Sequence, residues 1–461
     1  MLTALKAFFS SFKKNFQLDV YDKKKAFYSA CAFFFVIGAY SILRSLKTSI
    51  FLGFVGKEYQ PIAKIISIVI MIPVMLFYSK LIDKLKRYQA VYFFLICYAI
   101  LGIIFSYYFF HPVYGIKNTQ TSPYRILGWM FEFSMDMFQG LVVGTFWAFV
   151  NSISTPDFAS KNYGFIVAAS RFGGILTPLI SWFLLEQSGL VSWHSIPLLT
   201  FFASLLLLIA SFFIHRIIYS IPESHLHGYQ AAYQANQVKE HAPKKPGVLE
   251  GLKLLLTEPY VLGIFGLVYS FEIISIIFDY QMQVLMSIET NNNIHAMSSF
   301  MFIYTGTFQA LSFFFAIFGT SHLLQRIGLQ GCLLIMPIVS IILTIVLMLY
   351  PKLITVFIIM VILRALNYGF NHPIREILYI PTVKDIQFKS KAWIDSFGRT
   401  LSKTSGSAVN MLSILQNSTL CLVLESACSI SVAIAWAFIA FFVGKKYQNT
   451  IKANEVIGKK D

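Results

Sequence analysis

A helix needs about 20 predominantly apolar residues to cross the hydrocarbon core of a bilayer, and roughly a dozen stretches of that length follow one another here. They cover about 26–50, 61–79, 88–110, 125–150, 163–186, 195–219, 259–285, 297–319, 330–350, 353–378, 392–416 and 419–443. Lipid offers no water to backbone N–H and C=O groups, so such runs satisfy them internally, as helices. Of the 461 residues, 57% are hydrophobic and 16% aromatic, more than a soluble domain carries. The expected fold class is an all-α polytopic membrane protein with about 12 transmembrane helices.

Charge sets the orientation. The net charge of +16 suggests nucleic acid at first sight, but about 25 of the 37 Lys and Arg fall in the N-terminus, the even-numbered connections and the C-terminus, against about four in the odd-numbered ones. That asymmetry is the mark of membrane orientation and places both termini in the cytoplasm. Nucleic acid is not expected as a partner; the lipid bilayer is. In residues 1–25, Leu2, Leu5, Phe9, Phe12 and Phe16 recur at helical spacing beside Lys6, Lys13 and Lys14, so this segment is expected to lie along the membrane surface. It has no cleavage-site pattern and too much Lys and Asp for a transit peptide, which favours a bacterial cytoplasmic (inner) membrane. The five cysteines all sit inside apolar runs without a CxxC spacing, so no disulfide framework, metal site or cofactor is expected.

The longest polar interruption, about 220–258, contains Pro, Gly, His and Lys and falls near the midpoint. Six runs precede it (26–219) and six follow (259–443), before a cytoplasmic tail at 444–461. The segment STPDFASKNYGFIVAASRFGG (154–174) can be aligned with IPTVKDIQFKSKAWIDSFGRTLSKTSG (380–406) on Lys161 and Lys391. Each is a loop ending in Ser-Lys followed by a helix that carries a cation among Gly and Ser. Two parallel six-helix repeats point to a major-facilitator-like fold.

Ionisable groups in the hydrocarbon zone cost several kcal/mol unless they face water or a partner, so each is a functional candidate. Counted from the run ends, Asp136, Glu272, Arg364 and Lys403 come near the bilayer midplane, with Arg171 and Arg399 closer to the cytoplasm and Arg44, Lys47 and Asp279 near the outer end. Runs one, four, five, seven, ten and eleven carry these charges, and they are the runs expected to line or flank a central cavity in a two-repeat transporter. The cations outnumber Glu132, Asp136, Glu272, Asp279 and Asp395, which suits a multiply charged anion. Phosphate-bearing solutes fit best.

Each candidate has a plainer reading. Asp395, Arg399 and Lys403 recur every fourth residue and share a helical face, so they either face substrate or pair along their own helix or with Glu376 as interhelical glue. Lys47 and Asp279 are equally a candidate gate ion pair. Glu132 and Asp136 share a face, as a proton site or as part of a salt-bridge network. Trp147 and Asn151 are expected to pack rather than to bind a base, Phe33 to Phe35 to contact lipid, Glu425 to snorkel to the outer interface, and His372 with Pro373 to mark a bend.

The segment NHPIREILYIPTVKDIQFKSKAWIDSFGRTLSKTSGS, residues 371–407, resembles the signature of the ATP/ADP translocase family of obligate intracellular bacteria and plastids, whose pattern runs roughly KEMAYIP, a short loop, then KGKAAID and LGKSGG. REILYIP and KSKAWID match, while LSKTSG keeps the lysine and loses a glycine. In the first run YSILRSLKT resembles the family's NYTILRDTKD, and FWAFVNSISTPDFASKNYG resembles its exit from the fourth helix. The resemblance identifies the chain as a divergent member and implies a twelve-helix exchanger of nucleotides, typically ATP for ADP. It implies functional roles for Lys47, for Asp136 where Glu is usual, for Lys403, and for Asp279, with Glu272 the rival placement. Ser45 and Thr48 replace acids that flank the family's first lysine, and Gln283 replaces a cation. These departures support a nucleotide or phosphorylated solute more firmly than ATP and ADP themselves.

The leading expectation is therefore a monomeric transporter that exchanges nucleotides by alternating access, with Lys403, Lys47, Arg364 and Arg171 clamping phosphates and the acids trading partners as gates. The alternative is a proton-coupled permease for another anionic or phosphorylated solute, with Asp136 and Asp279 protonating. A third is a non-transporting component acting through the 220–257 linker. An enzyme is not expected, because no nucleophile has a base at workable spacing and no phosphate-loop or metal-ligand motif is present.

Overall fold

The apolar runs fold as helices, and six of them, the first, second, fifth, seventh, ninth and twelfth, extend past a predicted end by a turn or more, because flanking polar residues continue the hydrogen-bond ladder into the interface. The computed structural model describes residues 19–85, 87–187, 192–222, 225–226, 248–318, 320–383, 386, 390–414, 418–453 and 455–458. Residues 1–18 of the expected amphipathic N-terminus and most of the 220–258 linker lie outside the described residues.

The helices, in chain order, are α1 (Val20–Phe54), α2 (Gln60–Lys84), α3 (Arg87–Phe110), α4 (Ile126–Ile153), α5 (Pro156–Gln187) and α6 (Ser192–Ser220). A short helix at Val248–Thr257 precedes α7 (Pro259–Glu289), α8 (Ile294–Phe318), α9 (Thr320–Leu349), α10 (Leu353–Ile377), α11 (residues 391–414) and α12 (Ser418–Ala453). Among the described residues, nine helices are long and apolar enough to cross a membrane. The expected runs at α2, α8 and α11 are helical too, and α11 is polar for its length, with Ser402, Lys403, Thr404, Ser405, Ser407 and Asn410 within about two and a half turns.

Two compact units divide the chain. One comprises Met1–Lys57, Val69–Ala242 and Thr290–Gln309; the other comprises Glu58–Ile68, Pro243–Glu289 and Ala310–Asp461. In the first, α1 packs on α4, α5 and α6, and α3 packs on α6. In the second, α7 packs on α10, α11 and α12, and α9 packs on α12.

Helix association in lipid depends on close approach rather than on hydrophobic driving force. Gly173 of α5 lies so near the Phe34 backbone of α1 that an added Cβ would collide with it, and Thr177 Oγ1 donates to the Gly38 carbonyl at 2.9 Å in the same crossing. Gly406 of α11 does the same against α7, where a Cβ would stand 3.0 Å from Ile276 and 3.1 Å from the Ile273 carbonyl.

Among the described residues, α4, α10 and α11 each contain a π-turn. In α4 it is Gln139–Val143, after 13 residues of α-helix, and in α10 it is Asn367–Asn371, after 14. The third, Ile394–Gly398, lies in α11. The expected bend of α10 is thus a π-turn that ends where His372 and Pro373 restart the helix.

Past α12 the chain returns to the loop between α10 and α11. Val383 N–H donates to the Ile457 carbonyl at 3.0 Å and Ile457 N–H to the Pro381 carbonyl at 2.8 Å, forming a single parallel bridge between Thr382 and Ile457.

Candidate functional site

Lys47 lies on α1 with its side chain turned to α4. Its ammonium meets Glu132 Oε1 at 3.2 Å and forms a still shorter contact with Asp136 Oδ1. Lys47 is 8% exposed and Glu132 not at all. The spacing of 132 and 136 explains the arrangement, since residues four apart stack on one helical face. Both acids read from the sequence as sharing a face therefore take one lysine between them. Tyr98 of α3 braces the same turn, donating to the Ser134 carbonyl at 2.9 Å.

Arg171 of α5 donates to Gln309 Oε1 of α8 at 3.2 Å. Ser45, one of the residues standing in place of a family acid, lies 3.0 Å from the Thr305 hydroxyl of α8 and donates to the Ser41 carbonyl at 3.0 Å. Arg44 is half-buried on α1 beside this group.

In the second unit, Arg364 of α10 stands 3.7 Å from Asp279 of α7. Gln283 donates to the other Asp279 oxygen at 2.9 Å, so the residue that replaces a family cation holds the acid by a neutral hydrogen bond. Lys47 and Asp279 each have oppositely charged partners inside their own unit.

The 395–403 stripe divides. Asp395 and Arg399 pair along α11 at 3.2 Å, the plainer of the two readings offered for them, and Glu376 pairs with Lys391. Lys403 is exposed on the far side of the π-turn. Glu272 is half-buried on α7, close enough to Arg375 for their charges to interact.

Four expectations are corrected or settled by packing. Glu425 does not snorkel: it is 4% exposed and accepts from Gln281 of α7 at 2.7 Å, because α12 turns this face onto α7. Phe33 does not face lipid either; it is buried and stacks on Phe146 at 4.6 Å. Phe35 stacks on Phe213 of α6 at 5.7 Å. Trp147 packs on Phe33 and Tyr163, and Asn151 accepts from the Tyr163 hydroxyl at 2.6 Å, as expected for packing.

Two cations escaped the sequence reading. Arg375, in REILYIP, is 6% exposed. Arg125, at the first position of the predicted run 125–150, organises the turn before α4. Its guanidinium donates to the carbonyls of Asn118, Gln120, Tyr114 and Gly115 at 2.7 to 3.1 Å and lies 3.5 Å over the Phe54 ring. Burial pulls its pKa down to about 10, still far above neutrality, so the group stays charged. Tyr379, just past α10, is buried near Asp395 and Glu376, and burial foremost pushes its phenol up; it is a neutral hydroxyl at physiological pH.

A family model described as TLC ATP/ADP transporter matches residues 3–447. The ADP,ATP carrier protein 1 of Rickettsia prowazekii (strain Madrid E) is 24% identical over 490 residues, spanning 95% of this chain and 96% of that carrier. The protein of the same name from Rickettsia bellii (strain RML369-C) is 24% identical over 439 residues, 85% of this chain and 86% of its own. Among solved structures, a bacterial homologue of the iron transporter ferroportin, inward-facing, superposes with a TM-score of 0.60 at 10% identity, covering 92% of this chain and 100% of that one. The xylose transporter XylE from E. coli, inward open, gives 0.57 at 12% identity over 89% and 94%. At such identities the likeness is one of fold, and the fold is the expected major-facilitator type.

Proposed function

We infer, from the premise that this chain belongs to the TLC ATP/ADP transporter family, that it exchanges nucleotides across a membrane by alternating access. It is a multi-pass membrane protein and not an enzyme. The observation that carries the reading is Lys47 held between Glu132 and Asp136 inside the membrane spans. A buried lysine held by two carboxylates is a cation whose contacts can be traded for a phosphate and restored afterwards. Such a trade lets substrate bind without leaving bare charge in low dielectric. Arg364 beside Asp279 repeats the arrangement in the other unit, and Lys403, exposed on polar α11, is a third cation suited to phosphate. Arg171, Arg44, Asp395 and Glu272 are assigned to positioning and gating around them.

The nucleotide is the substrate class, with ATP and ADP the first to test. The bacterial inner membrane, with both termini in the cytoplasm, is the location this reading takes, on the strength of the loop charge asymmetry. The test is uptake of radiolabelled ATP, ADP, other nucleoside triphosphates and deoxynucleotides by intact bacterial cells expressing the chain. Saturable uptake that external unlabelled nucleotide chases out, that an uncoupler leaves intact and that Lys47→Gln lowers at least about tenfold is the expected result. Uptake of another solute, collapsed by the uncoupler, replaces exchange with proton-coupled import through Asp136 and Asp279. Well-expressed protein that moves no nucleotide refutes the reading.

A further inference from the structure

Arg375 is a buried cation whose nearby acids are engaged elsewhere. It lies on α10 one turn past the π-turn, 6% exposed, and its Nη1 has no hydrogen-bond acceptor. Its sequence neighbour Glu376 is taken by Lys391, and Asp395 is taken by Arg399 at 3.2 Å. Arg399 of α11 lies close enough to Arg375 for their charges to interact, as do Glu272 and Asp395. Arg399 also keeps a buried Nε without an acceptor. Two guanidiniums from adjacent helices thus stand near one another, each with a spare N–H directed away from water.

Buried donors without acceptors are rare, and like charges placed together oppose burial. One kind of ligand relieves both: an anion with several acceptor oxygens able to take N–H groups from two forks at once. Glu272 offsets the charge from beyond ion-pair distance, so Arg375 is neither neutralised by contact nor left without a counter-charge.

We propose that Arg375 and Arg399 form a phosphate subsite between α10 and α11, in which their spare N–H groups take one phosphoryl group of the transported nucleotide. This rests on the nucleotide reading above, and it adds two residues that reading does not use. Because the two arginines come from different helices, a bound phosphoryl group also ties α10 to α11.

The test uses the full-length chain. Nucleotide exchange is measured in proteoliposomes for wild type, Arg375→Gln, Arg375→Lys and Arg399→Gln, and thermal stabilisation by inorganic pyrophosphate, ATP, ADP and AMP is measured on the purified proteins. The expected result is a KM for ATP raised about tenfold or more in Arg375→Gln, the loss of a charge-assisted contact. Its maximal exchange rate changes far less, its ligand-free melting temperature is near that of wild type, and Arg375→Lys recovers part of the affinity. The pyrophosphate shift of wild type is expected to be lost in both Gln variants. If Arg375→Gln fails to fold, Arg375→Lys and Arg399→Gln carry the same comparison.

An unchanged KM together with an unchanged pyrophosphate shift overturns the subsite. Stabilisation by phosphatidylglycerol nanodiscs that depends on Arg375, with ATP affinity unaltered, also overturns it, since a lipid headgroup then occupies the pair. Wild type that exchanges no nucleotide fails the functional reading, whereas an Arg375-dependent pyrophosphate shift in that same protein supports the subsite by itself.

Discussion

Arg364 and Asp279 face one another across α10 and α7 at 3.7 Å, with the arginine 7% exposed and the acid steadied by Gln283. The pair is near enough to compensate charge and too long to be a tight hydrogen bond. Removing one member of a buried pair costs about 3–5 kcal/mol, mostly because the other is stranded, whereas removing both costs much less. Asp279→Asn is therefore expected to lower the melting temperature of the purified protein, and Arg364→Gln added to it to recover most of the loss. A double variant as unstable as the sum of the singles would show that the two charges are not coupled.

Lys47 gives the same experiment a transport readout. Lys47→Gln leaves Glu132 and Asp136 side by side without their shared cation, so uptake is expected to fall at least about tenfold, with expression reduced as well. Lys47→Gln combined with Asp136→Asn is expected to regain expression but not uptake. Recovery of uptake in the double variant would reduce Lys47 to a structural counter-ion.

Arg125 predicts a purely structural loss. Four carbonyl acceptors and the Phe54 ring meet one guanidinium; a hydrogen bond to a charged group contributes about 1.5–3 kcal/mol net, and bonds that share one donor group do not add. Arg125→Ala is expected to destabilise the chain by about 2–3 kcal/mol, to speed proteolysis within 111–125, and to leave the substrate KM of the folded fraction unchanged. Chemical unfolding in mixed micelles measures the first effect.

Gly173 tests the close crossing of α5 on α1. Its neighbour is the Phe34 backbone rather than a flexible side-chain end, so Gly173→Ala forces the helices apart. A loss of about 1–3 kcal/mol is expected, the usual cost of overpacking. Gly164, where an added Cβ meets nothing within 4 Å, is the matched control, and its Ala variant is expected to lose nothing.

The bridge between Thr382 and Ile457 predicts that removing residues 455–461 exposes the α10–α11 loop. Two backbone hydrogen bonds are lost, and protease cleavage within 381–391 is expected to accelerate in the truncated chain. Unchanged cleavage would mean that the loop holds its path without the tail.

The helices were legible because lipid makes the rule simple: a long apolar run has one stable backbone solution. The charged pairs on one helix, Glu132 with Asp136 and Asp395 with Arg399, were legible for the same reason, since helical spacing alone brings them together. Partners across helices were not. Nothing in the local sequence says that Gln283 turns back to Asp279, or that α12 presents Glu425 to Gln281 rather than to the interface. Arg375 lies near the end of α10 by residue count, yet the second half of that helix packs on α9 and the residue is 6% exposed. The π-turns left no sequence signature at all, because an extra residue in a turn changes register without changing composition.

Those turns say something about descent. A π-turn is a single added residue accommodated within an α-helix, and α4 and α10 have theirs at nearly the same distance from the helix start, after 13 and 14 residues. If the halves arose by doubling of one six-helix ancestor, that residue was gained once, before the gene was duplicated. Any relative lacking it in one half has then lost it since, and the paired insertions become a marker for ordering the branches of the lineage.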